Sequence, residues 1–590
     1  MKTSHALFAM PLAVLALAST SAHAAPPTCP GSVTVKFLYG GSGPAQDAVK
    51  AAIDSIPADR SGLIRFSGTF NFTAPVPVRR DCISFNSTFP AFPATLRWQG
   101  TAGDNTFILD NADPNGGCVA SGTCITPHHT IVNNLSFEGA GIRLNGYAPE
   151  VTYSRFKNSK TALWLQFTDN ATVLGNAFTD TVGVSSWNLR YSRIGNNVFT
   201  RAVQPVGIAG SSIQNTIDGN TGTGSVMFSI ELLGGNETLA ANARNVGNTI
   251  SGNTFSAPSA PLNDGRDHGA YGGISLASGT SNTISGNNVS CPALCPAIGI
   301  EASGVATTVT GNTVGGYDHG IYVGESQPGN PADDTTLVQD NTVSNVSYGI
   351  AVSCAPGGAN GTDALNPRLA GCRKTVNIVH NTVTEPKVAG IGGYGDFFTP
   401  YTLDAQGKPV YVTYPSGDKQ RYTLNTVSEL RGLTIQNNTV TRTFGTYADD
   451  TNNDVAQFRF SAVSVGPILD AAKLWIDNNQ LTLKGVPAAG QAFRFNGVSI
   501  GLSVLADTGH CVRLAGSKTL QGARVTANRI THTPSPFGAA LRASCNATNG
   551  LVFTGNTIDG TSDAVLDEST TGLSASGNTC TNVTSSTVGC

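Results

Sequence analysis

The sequence predicts an all-β solenoid, a parallel β-helix. Three observations predict it. A short phrase built on Asn recurs along most of the chain. A second phrase, Gly or Ala then an apolar residue then alternation, recurs in step with it. Gly is abundant, at 68 of 590 residues, while charged residues make up only 12%.

The Asn phrase comes first. NTISGNTFS at 248–256 is repeated almost letter for letter as NTISGNNVS at 282–290, 34 residues on. The same phrase is seen as LGNAF (174–178), IGNNV (194–198), DGNTG (218–222), TGNTV (310–314), QDNTV (339–343) and VHNTV (379–383). It continues as QNNTV (436–440), DNNQL (477–481), TANRI (526–530), TGNTI (554–558) and SGNTC (576–580). Internal periods of 20 or more residues call for stacked repeats. The longer gaps read as the same unit with an inserted loop. Asn suits a sharp corner, because it tolerates the left-handed backbone region. Stacked Asn amides can also hydrogen-bond as a ladder along the axis.

The second phrase supplies the core. AGIRL, TALWL, VGVSS, VGIAG, FSIEL, GGISL, IGIEA, HGIYV, YGIAV and AGIGG alternate with period two, as a strand with one inward face does. Ile142, Leu163, Val184, Ile208, Ile230, Ile274, Ile300, Ile321, Ile350 and Ile391 are expected to stack in one inner column. One unit cannot bury its own apolar face, but stacked units share a core.

A solenoid needs its open end covered, because unpaired strand edges invite aggregation. QDAVKAAIDSI (46–56) places Val49, Ala52, Ile53 and Ile56 on one helical face, a capping helix. The strand GLIRFSGTF follows. With the repeats after it, QDAVKAAIDSIPA…GLIRFSGTF resembles the pectate-lyase-like superfamily of right-handed β-helix proteins, over residues 32–590. The resemblance implies a right-handed coil. It does not fix an activity, since the fold hosts many. Polygalacturonase-like hydrolases share N-T-D, D-D, G-H-G and R-I-K motifs; here NTI and NTV stand for NTD, DHG for GHG, and Asp449-Asp450 falls in an insertion. The W-I-D-H segment of pectate lyases is approached only by Trp475-Ile476-Asp477-Asn478, which reads as an ordinary coil with its Asn corner. The D-P-H-D motif of alginate epimerases is absent. No site residue is carried over from these families.

The N-terminus reads as an export signal over 1–24. Lys2 precedes the apolar run ALFAMPLAVLALA, and Ala22-His23-Ala24 offers a cleavage site. The run is too short to span a bilayer comfortably. The expected location is secreted or periplasmic, with 25–590 forming the β-helix domain. Twelve Cys fall into neighbours, and in an exported chain they imply disulfides. Sequential pairing is expected: Cys29/Cys82, Cys118/Cys124, Cys291/Cys295, Cys354/Cys372, Cys511/Cys545 and Cys580/Cys590. Zinc is disfavoured, because no CxxC pair or nearby His completes a site. A net charge of −3 excludes the basic footprint of a nucleic-acid binder.

Two stretches break the rhythm. Residues 397–430 hold two alternating runs around a turn and predict a projecting hairpin, with Phe397, Phe398, Tyr401, Tyr411, Tyr414 and Tyr422 as a local mini-core or a flap. YADDTNNDV (447–455) spaces Asp450, Asn452 and Asp454 like the start of a calcium loop. The Gly and distal Glu of such a loop are missing, and a solvated loop is the stronger reading. Calcium is the one cofactor the sequence raises.

Residues flanking the inner column point outward and can line a groove for a long polymer. After each inner residue stand Arg143, Trp164, Ser185, Ala209, Glu231, Ser275, Glu301, Tyr322, Ala351, Gly392, Ser464 and Ser499. Large polar and aromatic residues cluster in the first part, with Trp187 and Glu325 near the same face, and Glu325 joins Glu231, Glu301, Asp318 and His319 as an acid/base candidate. Trp164, Trp187 and Tyr322 are candidate sugar platforms. Arg143 joins them as a substrate-binding candidate. Glu231 and Glu301 lie two coils apart, about 9.6 Å between backbones. Paired carboxylates of inverting glycoside hydrolases stand about 6.5–9.5 Å apart. Asp267-His268-Gly269 and Asp318-His319-Gly320 repeat a tripeptide in which Asp could orient an imidazole for proton transfer. His319 equally well fills a turn. Arg266 could neutralise a uronate carboxylate.

These residues point to an exported carbohydrate-active β-helix protein, a polysaccharide lyase or glycoside hydrolase on an extended polymer. The alternative is a non-catalytic surface or periplasmic protein that binds glycans or proteins along its length. A purely structural role is a third. The sequence leaves the oligomeric state open.

Overall fold

The computed structural model describes residues 28–41, 43–101, 106–111, 117–118, 124–125, 128–234, 245–257, 272–277, 279–324, 334–353, 374–394, 411–413, 419–421, 430–445, 460–465, 473–486, 495–500, 520–534, 536–544, 548–568, 572–585 and 590. They form a right-handed parallel β-helix. One coil shows the plan: strands Glu150–Thr152, Arg155–Lys157 and Thr161–Asp169 lie in turn on three faces. The next coil repeats them as Thr172–Leu174, Ala177–Thr179 and Val182–Arg190, each parallel and in register with its counterpart.

The corners explain the recurring phrase. The residue before each repeat Asn takes the left-handed conformation, as at Gly175, Asn196, Gly219, Asp340, His380 and Asn478. The Asn itself turns inward. This corrects the expectation that the repeat Asn occupies the left-handed position. Gly is common just before it because only Gly has no Cβ to clash there. The inward Asn form the expected ladder. Asn176 donates through Nδ2 to Oδ1 of Asn197 at 3.0 Å, and Asn197 to Asn220 at 2.9 Å. The chain of bonds continues rung by rung to Asn578. Each Nδ2 also donates to a backbone carbonyl of a neighbouring coil, as Asn312 does to Ile284. Buried amides are thereby satisfied, which is the condition for burying them at all.

Between the rungs lies a continuous apolar core. Phe137, Phe156, Phe178 and Phe199 stack with centroids 5.0, 5.1 and 4.8 Å apart, near the coil spacing. The predicted inner column is fully buried from Ile142 to Ile391. One member is corrected: Val206, not Ile208, pairs with Val184 and Ile230. In VGIAG both Val206 and Ile208 point inward with period two, so the motif fits either position. Across coils, acids meet bases. Arg190 grips Asp169 through Nε and Nη2 at 2.6 and 2.7 Å with both side chains buried. Arg193–Asp218 and Arg201–Asp180 repeat the arrangement at the surface.

The helix forms at Ala45–Asp54 and buries Val49, Ala52 and Ile53 into the core, with Ile56 beside them. Cys29–Cys82, Cys291–Cys295 and Cys580–Cys590 are disulfide-bonded. The backbones of Cys118 and Cys124 pair antiparallel. Cys354, Cys372, Cys511 and Cys545 lie outside the described residues. Within 397–430, Tyr411–Thr413 and Lys419–Arg421 pair antiparallel, and most of the remainder of that stretch lies outside the described residues. Lys473–Asp477 is an ordinary coil strand, with Asn478 at its corner and Asn479 in the ladder.

Candidate functional site

The outward column is real, and its register can be followed strand by strand. It runs Asp110, Arg143, Trp164, Ser185, Gly207, Glu231, Ser275, Glu301, Tyr322, Ala351. Gly207 replaces the expected Ala209, for the reason that Val206 replaces Ile208. From Arg143 to Tyr322 the column crosses seven coil steps, about 34 Å at the strand spacing.

Glu231 and Glu301 stand two coils apart with Ser275 between them. Both carboxylates are partly buried, and Ser275 is buried. The Ser275 hydroxyl donates to Oε2 of Glu301 at 2.6 Å, and the Ser303 hydroxyl donates to Oε1 at 3.1 Å. Gln204 donates its amide to Glu231 from the preceding coil. Burial pushes the Glu231 carboxyl above its ordinary value; the Gln204 hydrogen bond opposes this, and the nearby charge of Glu301 adds to it. Burial thus favours the proton on Glu231, while Glu301 accepts from two hydroxyls.

At one end of the column, Arg143 clasps Asp110 through Nε and Nη2 at 3.0 and 2.6 Å and lies over the Phe107 ring at 5.3 Å. Asp110 escaped the sequence reading; it occupies the column position one coil before Arg143, in the strand FILD. Trp164 neighbours Arg143, and Trp187 sits on the next coil, paired with Gln166. The two indoles are therefore diagonal neighbours on one face, both half-buried.

At the other end Tyr322 is buried, not laid open as a platform. It belongs to a small apolar cluster outside the main core with Tyr348, Ala351, Val388 and Ala389. His319 stacks on Tyr348 at 4.8 Å and meets Tyr322 edge-on at 6.0 Å. Its Nδ1 lies 2.9 Å from Oδ2 of Asp318. Burial would raise the Asp318 carboxyl, but the His319 charge and hydrogen bond, with Ser347 and Lys387, outweigh it and hold it below the ordinary range. Asp318 and His319 thus do point together, within a packed aromatic nest one coil beyond Glu301. Glu325, Arg266, Asp267, His268, Asp450, Asn452 and Asp454 lie outside the described residues.

A second cluster was missed by sequence reasoning. The sulfurs of Cys29 and Cys82 and a ring nitrogen of His129 lie within 4.8 Å of one another. Cys82 and His129 are successive residues of another left-handed corner. The amide of Cys82 donates to His128 O, and that of His129 to Tyr147 O. The corner therefore stacks their side chains one coil apart, although 47 residues of sequence separate them. Beside it a pocket of about 380 Å³ is bounded by Arg60, Arg79, Arg80, Asp81, Cys82 and His128, among others.

A family model described as periplasmic copper-binding protein (NosD) matches residues 121–313 of the 590. No curated protein matches the chain. Among solved structures it is similar to PfbA, a surface adhesin of Streptococcus pneumoniae, at 13% identity over 64% of this chain and 94% of that one, TM-score 0.39. It is also similar to the A-module of the Azotobacter vinelandii mannuronan C-5 epimerase AlgE4, at 12% identity over 69% and 93%, TM-score 0.34. A third is an alginate lyase, AlyF-OU02, at 12% identity over 79% and 88%, TM-score 0.40. Among the described residues no helix is long and apolar enough to cross a membrane.

Proposed function

We propose that this is an exported carbohydrate-active β-helix protein that cleaves an extended polysaccharide at the Glu231–Glu301 pair. The observation that carries the reading is the Glu231–Ser275–Glu301 column, in which burial favours the proton on one carboxyl while hydroxyls donate to both oxygens of the other. Glu231 would act as general acid and protonate the glycosidic oxygen as the bond breaks. Glu301 would act as general base and take a proton from a water attacking the anomeric carbon from the opposite face. A backbone separation of about 9.6 Å is near the upper end for this inverting geometry. Trp164 and Trp187 would offer apolar faces to sugar rings three and two coils away. Arg143, tied to Asp110, would stiffen that end of the groove.

The mature protein, with and without calcium, is incubated with acidic and neutral polysaccharides. New reducing ends without unsaturated-uronate absorbance are expected. Reducing ends with that absorbance would mean β-elimination and move attention to Asp318 and His319. Binding without product would favour a glycan-binding protein.

A second reading is favoured by one observation. The matched family is described as copper-binding, and His129, inside the matched residues, lies beside the Cys29–Cys82 disulfide, whose sulfurs on reduction would join its imidazole as donors that copper takes. Under it the chain handles a soft metal ion.

A further inference from the structure

We propose that Cys29, Cys82 and His129 form a redox-gated site for a single Cu(I) ion, closed while the two cysteines are disulfide-bonded and opened by their reduction. The proposal rests on the second reading above and names its residues and its switch.

The donor set selects the ion. Two thiolates and one imidazole are soft ligands, which suit Cu(I). Three donors match the low coordination number of that ion. The disulfide holds the two sulfurs together, with Cα atoms 5.7 Å apart, and a ring nitrogen of His129 lies within 4.8 Å of both, so reduction would leave three donors around one point. The corner supplies the rigidity. The backbone at Cys82 and His129 is fixed by successive cross-coil hydrogen bonds, and the Asp81 carboxylate accepts from the His128 amide at 2.9 Å, which pins the turn. The His129 ring packs edge-on to Tyr147 at 5.8 Å, and its buried Nδ1 has no hydrogen-bond partner.

Opening the site requires a reductant, and the chemistry names its class. A dithiol attacks the Cys29–Cys82 bond through a mixed disulfide. Two electrons and two protons pass to the cysteines, and the dithiol leaves as its own disulfide. Cu(I) then binds as Cu(I), and the two thiols release two protons. Access exists: Cys29 is open to solvent, and the pocket bounded by Arg60, Arg79 and Arg80 opens beside Cys82. Three guanidiniums against the one carboxylate of Asp81 favour an anionic reductant or an anionic Cu(I) carrier.

The test uses the full mature chain, oxidised or reduced anaerobically with a dithiol that is then removed. Cu(I) is titrated in competition with a chromophoric chelator, and near-ultraviolet thiolate-to-copper absorption is recorded. The reduced chain should bind one equivalent more than the Cys29→Ser/Cys82→Ser variant treated in the same way. His129→Asn, which keeps the left-handed corner, should weaken that equivalent by about 10-fold or more. The oxidised chain should bind nothing there. Circular dichroism confirms that each form keeps its β-structure, and the double Ser variant checks the fold without the cross-link. Equal binding by the reduced chain and the double Ser variant would overturn this site and leave the second reading standing on other cysteines. No binding by a folded, reduced chain would overturn both. Undiminished affinity in His129→Asn would overturn the three-donor site.

Discussion

The hydroxyl of Ser275 donates to Oε2 of Glu301 at 2.6 Å, from the strand that separates Glu301 from Glu231. A buried serine thus fixes one carboxylate of the pair. Its loss should show in turnover more than in binding. Ser275→Ala is expected to lower kcat by about 10-fold or more, the worth of one hydrogen bond to a charged group, with little change in KM. Glu231→Gln and Glu301→Gln should each lower kcat by about 100- to 10,000-fold. Steady-state kinetics on the substrate found in the polysaccharide panel decide both.

Glu231 should titrate above the ordinary glutamate value, and Glu301→Gln should bring it down, because the Glu301 charge is one of its causes. The sign for stability follows. The stabilising effect of a raised carboxyl pKa is full below the unfolded value and is lost as pH rises through the folded one. Carbon-13 NMR of labelled glutamates, read in wild type and Glu301→Gln, measures the shift. An unchanged Glu231 titration would remove the electrostatic link between the two acids.

His532 lies in a fully buried column where Leu483 precedes it in register, and its Nδ1 meets the Phe537 carbonyl. Burial, partly opposed by that hydrogen bond, pushes the imidazole down to about 4. The unfolded chain binds this proton near 6.5, so stability is lost as pH falls from about 6.5 to about 4. The loss should reach about 3 kcal/mol. His532→Leu, which continues the column of Leu483, should flatten this part of the pH dependence. Urea midpoints at pH 7, 6 and 5 read it directly.

Asn312 takes hydrogen bonds from Asn287 and gives them to Asn341 and to the carbonyl of Ile284. Asn312→Ala strands several buried polar groups at once and should cost about 3 kcal/mol or more. Asn578→Ala, at the half-exposed end of the ladder, should cost about 1 kcal/mol. The ratio of the two urea shifts is the measurement. Equal shifts would mean that the ladder is not the source of the stability.

Most of the coil plan was legible because a strand's period of two and a corner's need for Gly or Asn both leave marks in single residues. Glu231, Ser275 and Glu301 followed from that pattern alone. Ala209 did not, because an alternating run can slide by two residues and still bury the same face, and only the cross-coil pairing chooses Gly207. Tyr322 was expected at the surface because a one-column reading cannot see a second layer; Tyr348, Val388 and Ala389 come from later coils and close over it. Cys29, Cys82 and His129 were not joined for a related reason. Their meeting depends on the register of a corner outside the repeat phrase, and His129 follows Cys82 by 47 residues, more than two ordinary coils of sequence.

The Asn ladder has one more consequence. Asn176 and Asn197 are 21 residues apart, Asn381 and Asn438 are 57 apart, and both rungs measure 3.0 Å. The scaffold measures distance in coils and is blind to how much chain is looped out between them. Doubling an excursion costs only about 0.6 kcal/mol of closure entropy. Such a molecule is a ruler with removable pegs. New surface can be spliced in at a corner, lengthened or cut away, while the outward residues on the strands keep their places.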